Sequence, residues 1–302
     1  MSGPAVLAVV GPTASGKSAL AVAVAKVVNG EIIGTDSMQA YRGMDIGTAT
    51  PTAHERAAIA HHMLDVWDID QAVTVVEFRD AAREAIDSVR SRGRVPIVVG
   101  GSGLYVRAVL EEMDFPGTDP AIRAQWEERL ARLGAPALHA LLAERDPAAA
   151  AVIEMNNGRR IVRALEVIEL TGEPFTARLP EPNDHYPVLR VGLHIDRDAL
   201  DARIQARVGA MWAAGFVDEV RELKSQGLAS APTAIAALGY QPILRYLDGE
   251  IDEATARQST IDDTRKFARR QQRWFVKDER IQWLAYDSPE LAERVAGLWA
   301  AA

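Results

Sequence analysis

Apolar positions in the first hundred residues follow two alternating rhythms. Short unbroken runs rich in Val and Ile occupy residues 6–10, 31–34 and 95–99 and read as buried strands. Between them, residues 18–28 and 77–92 carry the three-to-four spacing of helices. Strand and helix in alternation imply a parallel sheet with helices on both faces. After Phe115-Pro116-Gly117 the rhythm changes, and residues 119–171 are rich in Ala, Leu, Arg and Glu at helical spacing throughout. A proline-rich stretch follows at 174–187, residues 188–195 read again as a strand, and the C-terminal hundred residues read as mostly helical. The pattern predicts an α/β core over residues 1–115 and 188–302, interrupted by an all-helical insertion over residues 116–187. There is no internal repeat and no low-complexity segment.

Composition adds exclusions. A chain of 302 residues is long enough for one large domain with a smaller one inserted. Hydrophobic residues make up 48% and charged residues 25%, ordinary values for a soluble globular protein. The absence of cysteine rules out disulfides and thiolate metal sites. The histidines show no ligand spacing, and the adjacent side chains of His61 and His62 diverge on any regular element, so both read as structural. The apolar run ending at Val10 is far too short to cross a bilayer and lacks a basic flank, so it reads as a strand rather than a signal peptide. A cytoplasmic, monomeric protein with no membrane partner is expected. The net charge of -8 argues mildly against nonspecific binding to polyanions, but clusters of basic residues matter more than the total.

The most informative local pattern is Gly11-Pro12-Thr13-Ala14-Ser15-Gly16-Lys17-Ser18, a complete G-x-x-x-x-G-K-S phosphate loop between a predicted strand and a predicted helix. Its glycines let backbone N–H groups curl around phosphate oxygens, and the helix N-terminus adds a favourable dipole. Lys17 supplies a point charge, and the Ser18 hydroxyl is placed to hold Mg²⁺. A hydrolytic ATPase or GTPase would also carry an apolar strand ending in Asp to share that ion. The strand at 95–99 runs instead into Gly100-Gly101-Ser102-Gly103, and the run ending at Asp196 is a weaker candidate. A small diphosphate fits the same cradle. Asp36 follows the second predicted strand, one strand over from the loop, where a carboxylate faces the ligand crevice; capping of the next turn by Asp36 or Ser37 is the competing role.

Taken together, several segments resemble the tRNA dimethylallyltransferase (tRNA isopentenyltransferase) family. They are the phosphate loop, the run from Asp36 to Ala49, the glycine-rich run at 99–105, the Arg-rich run at 159–172, Leu238-Gly239-Tyr240, and the run at 264–275, in family order over almost the whole chain. The resemblance implies a P-loop NTPase-like parallel sheet, flanked by helices, that binds dimethylallyl diphosphate with Mg²⁺ rather than using ATP. It implies that Asp36 acts as general base on the N6 amine of adenosine at tRNA position 37, next to the anticodon. Gly11 to Ser18 would hold the diphosphate, with Ser18 on the metal, and Arg207 would support the departing pyrophosphate. Contacts with the tRNA anticodon stem-loop are implied for Asp36, Ser37, Met38, Gln39, Ser102, Arg123, Arg159, Arg160, Ile161, Val162 and Arg163, with the helical insertion gripping the anticodon arm.

The chemistry of the residues is consistent with those roles. An adenine amine is a poor nucleophile, and a carboxylate within hydrogen-bond reach orients it and accepts its proton. Lys17, Arg207 and Mg²⁺ would neutralise the charge that accumulates on pyrophosphate. Arg265, Arg269 and Arg273, with Lys266 and Arg270 beside them, place five cations on one predicted helix, near Tyr240, Trp274 and Phe275 as stacking surfaces for unpaired RNA. The alternative for that helix is a solvated face paired with Asp262, Asp263 and Asp278, and Arg159, Arg160 and Arg163 would pair with Glu166 or Glu169. Departures from the family pattern at Thr50, Gln241 and Arg159 bear on individual phosphate contacts. Rival readings are a small-molecule kinase, a prenyltransferase on free adenine nucleotides, and a noncatalytic RNA-binding scaffold.

Overall fold

The computed structural model describes residues 3–175 and 181–302. The chain divides into two compact units, Met1–Glu111 with Asp184–Ala302, and Glu112–Asn183. The division falls at Glu112 and Asn183, where the sequence pattern set the insertion at 116–187. The two crossing segments pair through an isolated antiparallel bridge between Glu111 and Asp184, inside the larger unit. Residues 176–180 of the proline-rich stretch lie outside the described residues.

The larger unit is built on β1 (Val6–Val10), β2 (Gly30–Gly34), β3 (His61–His62), β4 (Val95–Gly100), β5 (Val188–His194) and β6 (Ile281–Ala285). They form one parallel sheet in the order β3-β2-β4-β1-β5-β6. Every residue of β1 is buried, as a central strand covered on both faces requires. Its alternating side chains serve two cores. Val6, Ala8 and Val10 join Phe78, Ile86 and Val106 on one face, and Leu7 and Val9 join Leu20, Ala21 and Val24 on the other.

The helices around the sheet begin with α1 (Lys17–Val28), α2 (Ala53–Ala58), α3 (Val75–Ser91) and α4 (Gly103–Leu110). The helix α3 starts with a capping box, Thr74 and Glu77 each satisfying the other's backbone N–H. The smaller unit comprises α5 (Pro120–Leu133), α6 (Ala135–Arg145), α7 (Pro147–Val152) and α8 (Gly158–Thr171) around a core of Trp126, Leu138, Leu142, Ile153 and Leu165. The rest of the larger unit is α9 (Arg197–Ala213), α10 (Phe216–Ser225), α11 (Tyr240–Leu247), α12 (Glu253–Phe275) and α13 (Leu291–Ala301). Among them, Phe216, Val220, Tyr240 and Ile243 close a third core with Tyr41 and Met44. No helix among the described residues is long and apolar enough to cross a membrane.

Two strands differ from the expected pattern. β3 is only two residues long and is recruited by pairing with Ile32 and Ile33. β6 pairs with β5 at the sheet edge and buries only Ile281 and Leu284, so it lacks the continuous apolar run of the inner strands. The second strand also does not neighbour the first: β4 hydrogen-bonds to both β1 and β2 and lies between them. Asp36 therefore stands two strands from the phosphate loop, not one.

Candidate active site

The C-terminal ends of β1, β2 and β4 open into a cavity of about 360 Å³ in the larger unit. Its phosphate end is the loop after β1. Gly11, Ala14 and Gly16 adopt positive φ values of 149°, 63° and 101°, which turn the backbone tightly into α1. The α1 N-cap is Gly16 and makes no side-chain cap, so the helix amides are left for an anion. The Ser15 hydroxyl is buried without a hydrogen-bond partner, and a Cβ on Gly11 would meet it at 3.2 Å. A buried, unpaired polar atom beside free helix amides fits the oxygens of a diphosphate.

Lys17 and Arg207 bring positive charge to this cradle. Burial, with the nearby Arg207, pulls the Lys17 ammonium from 10.5 down to about 8, while Asp36 opposes the shift. Burial likewise lowers Arg207, and Asp36 again raises it. The three groups thus share one field: Arg207 disfavours the charge on Lys17, and the Asp36 carboxylate partly compensates for both cations. An incoming diphosphate would relieve both cations.

Asp36 lies at the pocket's exposed side, immediately beyond β2. Its Oδ1 accepts the Met38 N–H at 3.0 Å, so the turn role considered for it is made by one oxygen, leaving Oδ2 for a substrate. Ser37, Met38, Gln39 and Ser102 line the same cavity, with Thr13, Lys17 and Ser18 of the loop. Gln39 Nε2 donates to the carbonyls of Thr48 and Ala49 at 3.1 and 3.2 Å. The Ser18 hydroxyl is exposed into the cavity, and no cluster of three His, Asp or Glu able to hold a metal occurs among the described residues. A magnesium ion that arrives with a diphosphate needs few protein ligands, so a lone hydroxyl fits it.

Some positioning residues carry no local sequence signal. Gln271 on α12 is buried and accepts the Thr13 N–H at 2.8 Å, pinning the phosphate loop from a point 258 residues away. Arg203, one turn before Arg207 on α9, donates to the Ala14 carbonyl at 2.7 Å. His61 and His62, read as structural, do both hold structure: His61 Nδ1 pairs with the Ile59 carbonyl and His62 Nε2 with Glu31, each at 2.7 Å. Both also line the cavity, which their adjacency in sequence did not reveal.

On α12, Arg265 lies 3.6 Å from Asp262 and Lys266 3.0 Å from Asp263, as in the solvated-face reading, while Arg280 takes Asp278 at 2.7 Å. Arg270 lines the cavity. Of the three proposed stacking residues, Tyr240 (0% exposed) and Phe275 (3%) are core residues and unavailable; Trp274, 42% exposed under the Arg107 guanidinium, is accessible. The apolar partners at the end of α12 and the start of α11 claimed the other two rings.

Within the helical unit, Arg123, Arg159, Arg160, Ile161, Val162 and Arg163 lie on α5 and α8. Arg123 and Arg163 both bind the buried Glu166, at 2.8 and 3.0 Å, which also takes the Thr118 hydroxyl and the Asp119 N–H. Glu169 accepts from Trp126 Nε1 at 3.0 Å and pairs with no arginine among the described residues. Arg159 and Arg160 are exposed at the start of α8. Ile161 and Val162 point inward, 0% and 4% exposed, so their side chains belong to the unit's core and not to its surface.

A parallel sheet with this loop at its carboxyl edge, and a carboxylate facing two cations across the pocket, defines a P-loop-type α/β fold equipped for phosphate chemistry. The sequence profile of IPP transferase matches residues 39–278. A tRNA dimethylallyltransferase of Salinispora arenicola is 57% identical over 279 residues, covering 92% of this chain and 82% of that protein. One from Thermobifida fusca is 55% identical over 298 residues, 97% of this chain and 93% of its own. The full-length tRNA isopentenylpyrophosphate transferase of Bacillus halodurans superposes with a TM-score of 0.73 at 37% identity, over 98% of this chain and 95% of that one. The chain belongs to the IPP transferase family.

Proposed function

We propose that this protein transfers the dimethylallyl group of dimethylallyl diphosphate to N6 of adenosine 37, beside the anticodon of tRNA. The observation that carries this reading is the meeting of Lys17, Arg207 and Asp36 in one cavity whose far wall is the phosphate loop. Two cations at a cradle suit a diphosphate leaving group, and a carboxylate opposite suits a proton-bearing nucleophile. The cavity is of a size for small ligands, about 300 Å³ or more.

In the reaction, the loop amides, Ser15 and Lys17 hold the diphosphate with its first prenyl carbon turned toward Asp36. The Asp36 carboxylate accepts a hydrogen bond from the exocyclic amine and orients its lone pair. The N6–C1 bond forms as the C1–O bond breaks, diphosphate leaves with the electron pair, and the amine proton passes to Asp36. Lys17 and Arg207 stabilise the departing charge. Ser18 and the diphosphate oxygens would hold Mg²⁺, which adds positive charge at the leaving group. An anticodon-loop base is unpaired, so extruding it into a pocket costs only about a few kcal/mol. The exposed Trp274 and Arg270, and Arg159 and Arg160 on the helical unit, are the surfaces assigned to RNA.

The test incubates the protein with Mg²⁺, dimethylallyl diphosphate and an unmodified anticodon stem-loop, with AMP and ATP in parallel reactions, and reads products by digestion and mass spectrometry. One five-carbon addition on the loop adenosine is expected. Prenylated AMP with untouched RNA, or phosphoryl transfer from ATP alone, would overturn the assignment.

A further inference from the structure

Glu219 on α10 makes an arrangement that no motif announces. Its Oε2 accepts the backbone N–H groups of Asp45 and Ile46 at 2.9 and 2.6 Å. Its Oε1 accepts the Gly47 N–H at 3.1 Å and the Tyr240 hydroxyl at 2.8 Å. One ionised carboxylate has about four acceptor sites, and this one uses them all on four donors. Behind it the fit is tight: a Cβ on Gly47 would collide with the Phe216 ring and sit 2.7 Å from Tyr240. Phe216 and Tyr240 themselves meet edge to face at 5.0 Å.

The loop that Glu219 grips is also a wall of the cavity, through Gly47, Thr48 and Ala49. The Thr48 carbonyl accepts from Gln39 Nε2 at 3.1 Å and from Arg207 Nη2 at 3.4 Å. The chain of contacts therefore runs from the carboxylate, through three amides, to the carbonyl on which Arg207 and Gln39 rest. Glu219 does not line the cavity. We infer that Glu219 is a positioning residue for prenyl transfer: by fixing the 45–47 amides it sets where Arg207 and Gln39 stand in the pocket. This rests on the proposed function, in which Arg207 supports the leaving group.

Glu219→Gln tests it with little change in volume. Whichever way the amide is turned, its NH₂ faces two donors, so half of the arrangement is lost. The expected loss in single-turnover prenyl transfer is about 10- to 100-fold, the range for hydrogen bonds to a charged group, with the KM for dimethylallyl diphosphate and for RNA little changed. The decisive comparison repeats the substitution in an Arg207→Gln background. There Glu219→Gln should cost no more than about 3-fold, because both changes remove the same contribution. Equal losses with and without Arg207 would overturn the inference, as would a loss that appears only in KM. If Glu219→Gln does not fold, Tyr240→Phe, which removes a single donor, takes its place in the same cycle with a smaller first-step loss and the same criterion. A wild-type protein that leaves RNA unprenylated would sink the proposed function itself; wild-type transfer with additive losses would sink only the role of Glu219.

Discussion

Replacing Lys17 with Met should stabilise the fold while abolishing prenyl transfer. The lysine is half-buried in the cavity wall, and burial together with Arg207 brings its ammonium from 10.5 to about 8. A depression of that size corresponds to at most about 3–4 kcal/mol carried by the folded protein. Because the cavity is open to water, roughly 1–2 kcal/mol should be recovered by an uncharged side chain of similar length. The pH dependence has a definite sign. The folded value lies below the unfolded one, so below about pH 8 the ammonium is charged in both states and the cost is complete. Between about 8 and 10.5 only the unfolded chain keeps the proton, and the cost fades. Calorimetry of the two proteins should therefore show Lys17→Met melting about 2–4 °C higher near neutral pH, with the gap closing toward pH 10. A variant that melts lower near neutrality, or a gap that ignores pH across that window, would refute the reasoning.

Other outcomes follow from single contacts. Glu166→Ala should cost about 1.5–3 kcal/mol, read by chemical denaturation, because it removes the buried carboxylate that Arg123, Arg163 and Thr118 share. Burial raises the Glu166 carboxyl, but hydrogen bonds from Arg123, Thr118 and Arg163 outweigh it and hold the group below its usual value. Its contribution is thus present above the unfolded carboxylate value of about 4.3 and lost as the pH falls through the folded one; acid titration of wild type against Glu166→Gln checks this. Trp274→Ala should raise the KM for the stem-loop about 5- to 100-fold, the worth of one base stacked on an aromatic ring, and leave the KM for the prenyl donor unchanged. Steady-state kinetics varying each substrate in turn separates the two.

The parts of the site that the sequence made legible are those whose chemistry is local. The phosphate loop, Asp36 at the end of β2 and the alternation of strand and helix all lie within a few residues of their own signals. The strand order was less legible, since nothing near Gly34 tells whether β2 pairs with β1 or leaves room for β4. Residues that act across the fold left no trace in the pattern. Gln271 reaches the phosphate loop over 258 residues and Glu219 reaches Gly47 over 172, so their meaning exists only once α12 and α10 have packed. The basic runs misled in a related way. Spacing puts Ile161 and Val162 among arginines, but helical geometry turns them into the core, and Tyr240 and Phe275 are drawn inward by their apolar neighbours while Trp274 stays out.

The role of Asp36 is tested most directly by the rate of prenyl transfer in a single turnover with the Asp36→Asn variant, measured alongside its affinity for the anticodon stem-loop. The amide keeps the Oδ1 acceptor for Met38 and loses the capacity to take a proton. The account predicts a rate lower by about 10²- to 10⁴-fold, the worth of a general base, with RNA affinity unchanged. A rate close to wild type, or a loss of RNA binding as large as the loss of rate, would contradict it.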